Sequence, residues 1–401
     1  MNPALNNLQP YPFQRLTALK EPLSAPSALS HIPLSIGEPK HSAPDFLVKA
    51  LCDQTLIRQG LGSYPATLGS IELRTAIANW AEQRFAAPLD PQTQVLAVSG
   101  TREALFSFGQ AVLSGATGSA VVLPNPFYQI YEGATLLRGA EPIYLSTTAA
   151  TGFLPDFSAV SAATWRRCEL LYLCSPGNPT GAVIPMEALE TLLELRDQYN
   201  FVIAADECYS EIYSDEAAPP TGLLTACQRT GREDYKGCVV FNSLSKRSNL
   251  PGLRSGFIAG DSKLLTPYLQ YRTYHGCAMP AHVQAVSALA WADETHVVHN
   301  RALYHEKFAA VTPVLASCLD VSEPAAAFFL WPSIPTDRFA SDEQFTAELY
   351  ANQNVTVLPG SFLSRRGADG TNPGTRHVRI ALVAPLADCI AAAERIKAFV
   401  A

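Results

Sequence analysis

Six short apolar runs recur through the middle of the chain, and each ends in or beside Gly, Pro, Asn, Asp or Ser. They read VLAVSG (95–100), AVVLPNP (120–126), ELLYLCSPGNP (169–179), FVIAADE (201–207), CVVFNSLS (238–245) and GFIAG (256–260). Each run is almost continuously hydrophobic, which is typical of strands covered on both faces. An intervening piece, MEALETLLELRDQYN (186–200), has apolar residues at helical spacing. The pattern predicts an α/β fold around a largely parallel sheet.

The pattern changes after about residue 285. A helical stretch there is followed by isolated strand-like runs, which read AAFFLWPSI (326–334), VTVLPG (355–360) and HVRIALV (377–383). We therefore predict a smaller α+β domain over residues 286–401 and a large domain over residues 46–285. Residues 1–45 are rich in Pro and Ser, and they are predicted to form an N-terminal arm that is part of the small domain.

Charge and cysteine usage narrow the class of function. The 401 residues have a formal net charge of −7 and no block of Lys and Arg, which disfavours nucleic-acid binding. The start of the chain has no basic region followed by an apolar one, and no apolar run reaches the roughly 18 residues that span a bilayer. The nine cysteines and eight histidines show no metal-ligand spacing. We expect a cytoplasmic protein that acts on small molecules without a metal.

Polar residues follow five of the predicted strands, and in open α/β sheets ligands bind beyond the carboxyl ends of the strands. These residues are Ser99 to Thr101, Asn125 to Tyr128, Asn178, Asp206 with Tyr209, and Ser243 to Lys246. Taken singly, each has an ordinary interpretation. SGTREAL can be a plain helix start, NPTG a turn, Asp206 a solvated acid, Tyr128 a packing residue and Lys246 a surface lysine. Their occurrence at five successive strand ends favours one shared site.

Together these motifs identify a known family. SIGEPK near residue 36, NPTG (178–181), ADExY (205–209), SLSKxxxxxxxR (243–254) and VRIALV near 380 resemble the fold type I pyridoxal 5′-phosphate aminotransferases, the aspartate aminotransferase-like superfamily. The resemblance implies a large domain with a mostly parallel mixed sheet and a smaller α+β domain. It also implies pyridoxal 5′-phosphate as cofactor, with small amino acids and keto acids as substrates.

The resemblance assigns the central roles. Lys246 matches the lysine that binds the cofactor covalently and moves a proton at the substrate. Asp206 matches the acid that pairs with the ring nitrogen. Tyr209 and Asn178 match the residues that hydrogen-bond the 3′ oxygen, and Tyr128 matches the aromatic residue that stacks on the ring.

The phosphate site is also implied by the resemblance, and it consists of Gly100, Thr101, Arg102, Ser243, Ser245 and Arg254. A helix N-terminus with hydroxyls and a guanidinium suits a dianion. The positive charge of Arg254 is further expected to lower the pKa of Lys246. Tyr64, in GSYPATLGS, matches a tyrosine that reaches the phosphate of the neighbouring subunit. We therefore expect a homodimer with shared active sites.

For the substrate, Arg379 matches the arginine that binds the α-carboxylate, with Gly37 and Asn178 beside it. Within the superfamily, the chain is most similar to the proteobacterial succinyldiaminopimelate transaminases of lysine biosynthesis, including the start NPxLxxLxPYPFxRL. Glutamate would then aminate N-succinyl-2-amino-6-oxopimelate, giving N-succinyl-L,L-2,6-diaminopimelate and 2-oxoglutarate. The distal carboxylates of that acceptor require a cation, and the candidates are Arg15, Arg272, Arg365 and Arg366.

Other functions stay open on the same scaffold. An aminotransferase for acetylornithine, aspartate, alanine or an aromatic amino acid would carry the same motifs. A carbon–sulfur lyase uses the same cofactor and releases pyruvate and ammonia. A transcriptional regulator of this fold is not expected, because the segment before SIGEPK is too short for a winged-helix DNA-binding domain.

Overall fold

The computed structural model describes residues 1–368 and 370–401. In chain order the strands are β1 (Ile32–Pro33), β2 (Val95–Val98), β3 (Ala120–Asn125), β4 (Glu141–Ser146), β5 (Cys168–Cys174), β6 (Val202–Asp206), β7 (Cys238–Ser243), β8 (Gly256–Gly260), β9 (Phe329–Leu330), β10 (Val355–Thr356), β11 (Leu358–Pro359) and β12 (Val378–Ala381). The α-helices are α1 (Pro12–Lys20), α2 (Asp45–Leu51), α3 (Gln54–Leu61), α4 (Ile71–Phe85), α5 (Thr101–Val112), α6 (Gln129–Leu137), α7 (Ala162–Arg167), α8 (Met186–Tyr199), α9 (Leu223–Arg229), α10 (Leu244–Arg247), α11 (Ser262–His275), α12 (Ala281–Ala292), α13 (Thr295–Ala316), α14 (Asp342–Gln353) and α15 (Leu386–Val400).

The main sheet has seven strands in the order β2-β8-β7-β6-β5-β3-β4. β8 runs antiparallel to both of its neighbours, and the other neighbouring pairs are parallel. The carboxyl ends of β2 to β7 therefore lie at one edge of the sheet, together with the beginning of β8. The predicted, largely parallel sheet is confirmed, and all six apolar runs form strands in it.

Burial on both faces explains why β5 reads as a continuous apolar run. Side chains alternate between the two faces of a strand. Leu170 and Tyr172 are buried in one core, whereas Leu171 and Leu173 are buried in another. Because neither face of β5 contacts solvent, the sequence has no polar alternation there.

The sequence pattern missed β4. This strand pairs only with β3, so it forms an edge of the sheet. Its sequence EPIYLS begins with an exposed glutamate and a proline, and Leu145 is its one buried residue. Edge strands tolerate proline and exposed polar residues, which removes the apolar signature that marks central strands.

A second group of elements forms a smaller α+β unit. β1 pairs with β10 in parallel, and β11, β12 and β9 form an antiparallel sheet. Their apolar side chains share a core with α13 to α15, and its members include Ile32, Phe308, Leu330, Ile380 and Ile396. The N-terminal segment therefore contributes Ile32 and Leu34 to a core that is otherwise built by the C-terminal part of the chain.

The predicted boundary at residue 285 lies inside α12. The buried residues of this helix, Val286, Ala290 and Trp291, belong to the core beside the large sheet. We therefore propose a boundary after Ala292, and the predicted boundary near residue 45 stays a prediction. Within the described part of the chain, no helix is long and apolar enough to cross a membrane, and no three His, Cys, Asp or Glu side chains form a group suited to a metal.

Candidate active site

A cavity of about 650 Å³ lies at the edge of the main sheet where its parallel strands end. Predicted site residues that line it are Gly37, Thr101, Arg102, Tyr128, Asn178, Asp206, Tyr209, Ser243, Ser245, Lys246, Arg254 and Arg379. The fold thus brings together residues that are spread over more than 340 positions of the sequence.

Lys246 lies on α10, a single helical turn that begins directly after β7. The hydroxyl of Ser243 caps this turn by accepting a hydrogen bond from the Ser245 N–H (3.0 Å). The Lys246 Nζ donates to the carbonyl oxygen of Gly37. It also lies 5.2 Å from the ring centroid of Phe328 and 5.8 Å from that of Tyr209. The amine is therefore enclosed by backbone and aromatic groups.

Burial lowers the pKa of Lys246 to about 8, and the guanidinium of Arg379 acts in the same direction. The charges of nearby acidic groups oppose this shift only in part. Arg379 is thus the cation with the larger effect on this pKa, and the expected effect of Arg254 stays a prediction. The Arg254 guanidinium is instead directed toward a backbone carbonyl, to which its Nη1 donates (Pro251 O, 2.8 Å).

Asp206 ends β6 and is buried at the floor of the cavity. The Tyr131 hydroxyl donates to its Oδ2 (2.7 Å), and the Cys208 N–H donates to its Oδ1 (3.3 Å). Burial raises the pKa of Asp206, whereas these hydrogen bonds and the charge of Lys246 act against the shift. A buried carboxylate without a cation in direct contact favours a positively charged ligand group beside it.

The N-terminus of α5 and the connection between β7 and β8 meet at the cavity, where the phosphate site is predicted. Gly100 precedes this helix with φ of +86°, and a Cβ there would lie 2.3 Å from the Arg254 Nη2. Glycine is thus required for the guanidinium to approach the helix end. The hydroxyls of Ser243 and Ser245 are hydrogen-bonded (2.9 Å) and line the same part of the cavity. Such a set of donors suits a phosphate dianion.

Arg379 lies on β12 and is 4% exposed. Its Nη1 donates to the Asn178 Oδ1 (2.8 Å), and its Nη2 donates to the Ser35 carbonyl oxygen (2.7 Å). The guanidinium lies 4.6 Å from the ring centroid of Phe329. Burial lowers the pKa of Arg379 to about 10. A buried guanidinium held by neutral groups, with no carboxylate partner among the described residues, is ready to bind a ligand carboxylate.

Gly37 lies against the ring of Phe329, the residue that also contacts the Arg379 guanidinium. A Cβ on this residue would lie 2.8 Å from the ring of Phe329, so only glycine allows the backbone to pass here. Its carbonyl oxygen accepts the hydrogen bond of Lys246, as described above. The N-terminal segment therefore contacts the amine directly.

Two predicted site residues, Gly100 and Tyr64, are not among the described residues that line the cavity. Gly100 directly precedes the lining residue Thr101, whereas Tyr64 lies apart. It occupies the loop between α3 and α4, and its side chain is fully exposed. Within one chain it contacts none of the groups described above. Its predicted role toward a neighbouring subunit stays a prediction.

The candidate cations for a distal carboxylate lie elsewhere. Arg15 pairs with Glu343 (3.6 Å), Arg272 with Glu103 (2.8 Å) and Arg365 with Glu132 (2.7 Å), and Arg366 donates to the Gly370 carbonyl oxygen (3.2 Å). None of the four is among the described residues that line the cavity. Within one chain the structure therefore gives no support to any of these four candidates, because ion pairing across the fold cannot be read from sequence spacing.

Several residues in or beside the cavity were missed by the sequence analysis. Tyr131 orients Asp206 from one helical turn beyond Tyr128, and this spacing in NPFYQIY is the signal that sequence reasoning overlooked. Cys174 and Cys208 also line the cavity. The Cys208 thiol lies 3.2 Å from the Thr101 hydroxyl oxygen. The N-terminal residues Tyr11 to Phe13 also reach the cavity, far from any strand end.

Comparison with known proteins tests the resemblance. The family model described as aminotransferase class I and II matches residues 30–396. The chain belongs to this family. The LL-diaminopimelate aminotransferase of Nitratidesulfovibrio vulgaris (strain DSM 19637 / Miyazaki F) is 30% identical over 94% of this chain and 93% of that protein.

Solved structures agree with the family assignment. An aminotransferase from Neisseria meningitidis Z2491 is 46% identical with a TM-score of 0.94, and the match covers 100% of both chains. A probable N-succinyldiaminopimelate aminotransferase from Thermus thermophilus is 25% identical with a TM-score of 0.83, and the match covers 96% of this chain and 99% of that one. The predicted aspartate aminotransferase-like fold is confirmed.

As a class I and II aminotransferase, the protein uses pyridoxal 5′-phosphate, so the predicted cofactor is confirmed. The described residues fit this group. The donors near Gly100 match a phosphate, the enclosed amine of Lys246 matches an aldehyde, and the buried carboxylate of Asp206 matches a protonated ring nitrogen.

Proposed function

We propose that this aminotransferase moves the amino group of glutamate to N-succinyl-2-amino-6-oxopimelate, a reaction of the succinylase branch of lysine biosynthesis. The products are 2-oxoglutarate and N-succinyl-L,L-2,6-diaminopimelate. The observation that carries the proposal is the charge of the cavity lining. Its described residues include four basic side chains, Arg102, Lys246, Arg254 and Arg379, and two acidic ones, Glu38 and Asp206.

When bound, pyridoxal phosphate supplies an aldehyde carbon for the amino group and a ring that withdraws electrons from the substrate. Lys246 would hold the aldehyde, and Asp206 would pair with the ring nitrogen. Asn178 and Tyr209 would hydrogen-bond the 3′ oxygen, and Tyr128 would stack on the ring. The N-terminus of α5 would hold the phosphate together with the side chains of Thr101, Ser243, Ser245 and Arg254.

Lys246 is the residue that moves a proton at the substrate Cα. A lysine with its ordinary pKa near 10.4 is almost fully protonated at neutral pH. Burial brings the pKa of Lys246 to about 8, so a useful fraction of the amine is neutral near pH 7 to 8. The Gly37 carbonyl fixes the direction of the amine.

Arg379 and Asn178 bind the substrate α-carboxylate. The two Nη atoms of Arg379 are already aligned by Asn178 and Ser35, which leaves little freedom to lose on binding. The side chain beyond Cα then extends toward the remaining part of the cavity.

Arg102 is the cation that we assign to the distal carboxylates. Its Nε donates to the Tyr128 hydroxyl (2.6 Å), and its two terminal nitrogens have no carboxylate partner among the described residues. Arg254 serves the phosphate and Arg379 the α-carboxylate, so Arg102 is the remaining guanidinium of the cavity. Glu38, which would attract a distal ammonium group, already contacts Lys40.

The named relatives divide between two substrates. LL-diaminopimelate carries a distal ammonium group, whereas its N-succinyl form carries an amide and one more carboxylate. The Nitratidesulfovibrio relative is named for the first and the Thermus structure for the second. The excess of cations supports the succinylated substrate. Use of LL-diaminopimelate is the second candidate, and it is favoured by the name of the relative that is 30% identical to this chain.

The reverse reaction tests this choice directly. Purified protein is incubated with 2-oxoglutarate and either N-succinyl-LL-diaminopimelate or LL-diaminopimelate, and glutamate is measured. We expect a kcat/KM at least about tenfold higher with the succinylated donor. A preference for LL-diaminopimelate would replace the proposed substrate by the second candidate. Acetylornithine, aspartate, alanine and phenylalanine complete the panel, and pyruvate release from cystathionine would reveal a carbon–sulfur lyase.

A homodimer is the final part of the proposal. Tyr64 is fully exposed in a loop beside α4, where it is free to reach a second copy of the chain. Sedimentation of the native protein should therefore give twice the mass of one chain. Tyr64→Phe should also weaken cofactor binding, although the residue contacts nothing in the site of its own chain.

A further inference from the structure

Asn300, on α13, lies directly behind the lysine of the cavity. Its Nδ2 donates to the carbonyl oxygens of Lys246 (3.1 Å) and Arg247 (3.2 Å). Its Oδ1 accepts from the Asn249 Nδ2 (2.8 Å) and lies 2.9 Å from the His41 Nδ1. The side chain is buried, and both donors and both acceptor positions of the amide are used.

The helix that carries Lys246 needs this support. α10 has only four residues, and an isolated helix of one turn is unstable in water. The Ser248 N–H bonds the Leu244 carbonyl, but no following turn exists to bond the carbonyls of Lys246 and Arg247. Asn300 supplies both missing donors. The position of the Lys246 backbone is therefore set by a residue 54 positions away.

The same amide connects the lysine to the N-terminal segment. His41 follows Gly37 by four residues, and its ring lies 4.6 Å from that of Tyr304. Tyr304 stacks on Phe328 (5.3 Å), which in turn borders the Lys246 amine. This series of contacts therefore begins at the Lys246 carbonyl and returns to the Lys246 amine.

We propose that Asn300 is a positioning residue that fixes the lysine turn and couples it to the N-terminal segment bearing Gly37. This inference rests on the proposed function only because the amine must be aimed at the substrate Cα. Loss of the two donors allows α10 to shift, so the amine no longer faces both the cofactor and Gly37. Substrate binding by Arg379 is unaffected, because Arg379 is held by Asn178 and Ser35.

The test compares Asn300→Leu and Asn300→Asp, which keep the size of the side chain but remove its donors, with Asn300→Gln, which keeps an amide. Asn352→Leu is the matched control, since Asn352 is an asparagine on the outer part of α14. Each holoenzyme is titrated with pH while its visible absorption band is followed. The half-reaction with glutamate then gives kcat and KM.

We expect the pH midpoint of the band to move by about half a unit or more in the Leu and Asp variants. Their kcat should fall at least about tenfold while KM changes less than about threefold, with partial recovery in Asn300→Gln. Folded Leu and Asp variants with the native midpoint and kcat would overturn the inference. If Asn300→Leu does not fold, Asn300→Asp decides. A wild-type protein that does not react with glutamate would instead overturn the proposed function, while the midpoint still reports on Asn300.

Discussion

Arg272 and Glu103 form a two-pronged ion pair behind the phosphate site, with Nη1 to Oε2 at 2.8 Å and Nη2 to Oε1 at 3.0 Å. The Glu103 Oε1 also accepts from the Ser99 N–H (2.9 Å), which leaves the next N–H groups of α5 free for an anion. A carboxylate in the first turn would repel a bound phosphate. The buried guanidinium of Arg272 neutralises it.

Arg272→Gln should weaken cofactor binding. The negative charge of Glu103 is then uncompensated beside the phosphate, and we expect the Kd for pyridoxal phosphate to rise about tenfold or more. Titration of the cofactor-free protein measures it. The double variant Arg272→Gln/Glu103→Gln should recover most of the affinity, and Arg229→Gln, which breaks an exposed pair with Glu190, is the control. Equal losses in the single and double variants would show that packing, not charge, is responsible.

Arg102→Gln should change the choice of amino donor. Glutamine can still bond the Tyr128 hydroxyl, but it has no charge for a distal carboxylate. We expect kcat/KM for glutamate to fall about tenfold more than kcat/KM for alanine, which has no distal carboxylate. Arg366→Gln, at an exposed arginine outside the cavity lining, should leave the ratio unchanged. A loss of cofactor affinity without a change in the ratio would assign Arg102 to the phosphate.

Asp206→Asn should keep the cofactor bound while turnover falls by about a hundredfold or more, because the variant preserves shape and removes charge. Tyr131→Phe removes one hydrogen bond to that carboxylate and should cost about tenfold in turnover. Stopped-flow measurement of the glutamate half-reaction compares the two. Asp388→Asn, an exposed acid at the start of α15, is the control. If Tyr131→Phe were as slow as Asp206→Asn, the expected difference between the two variants would be contradicted.

Arg379→Ala should raise the KM for glutamate by roughly 30-fold to several thousandfold, which corresponds to about 2–5 kcal/mol. Arg379→Lys keeps a charge but loses the fork that Asn178 and Ser35 align, so its KM should lie between those of the alanine variant and the wild type. Steady-state kinetics at several glutamate concentrations measure these KM values. Lysine behaving like arginine would mean that charge alone binds the carboxylate.

Glu207 should make stability depend on pH. Burial raises its pKa to about 8, although the Leu223 N–H donates to its Oε1 (2.8 Å). The folded protein therefore keeps a proton that the unfolded chain releases above its ordinary pKa near 4.3. The contribution of Glu207 to the free energy of unfolding is greatest below this value. It falls as pH rises toward 8, by up to a few kcal/mol. Urea unfolding from pH 5 to 8 should show a flatter dependence for Glu207→Gln and no change for the exposed Glu187→Gln.

The parts of the fold that sequence predicts are those with a local signal. β5 can be recognised from the sequence because both of its faces are buried. The strands that precede them place four site residues, which are Thr101, Asn178, Asp206 and Lys246. β4 gives no such signal because only one of its residues is buried, whereas β2, at the opposite edge of the sheet, is buried throughout and was recognised. Burial of both faces therefore decides which strands can be recognised from the sequence.

Side-chain partners are the part that the sequence could not provide. Arg272 and Glu103 are separated by 169 positions, and Asn300 and Lys246 by 54. These pairs depend on how α11 and α13 pack against the sheet, which no local spacing records. The contact between the Gly37 carbonyl and Lys246 could not be predicted for the same reason, because the two residues are separated by 209 positions.

The amine of Lys246 and the guanidinium of Arg254 both belong to the connection between β7 and β8, which spans residues 244–255. The ends of this connection are paired in the sheet, where Ser243 lies opposite Gly256. In the proposed site both groups bind one cofactor, so the number of residues between them would set the span from aldehyde to phosphate. An inserted or deleted residue here would alter that span even if every side chain were kept. Natural variants of this protein should therefore differ in the composition of the connection but not in its length.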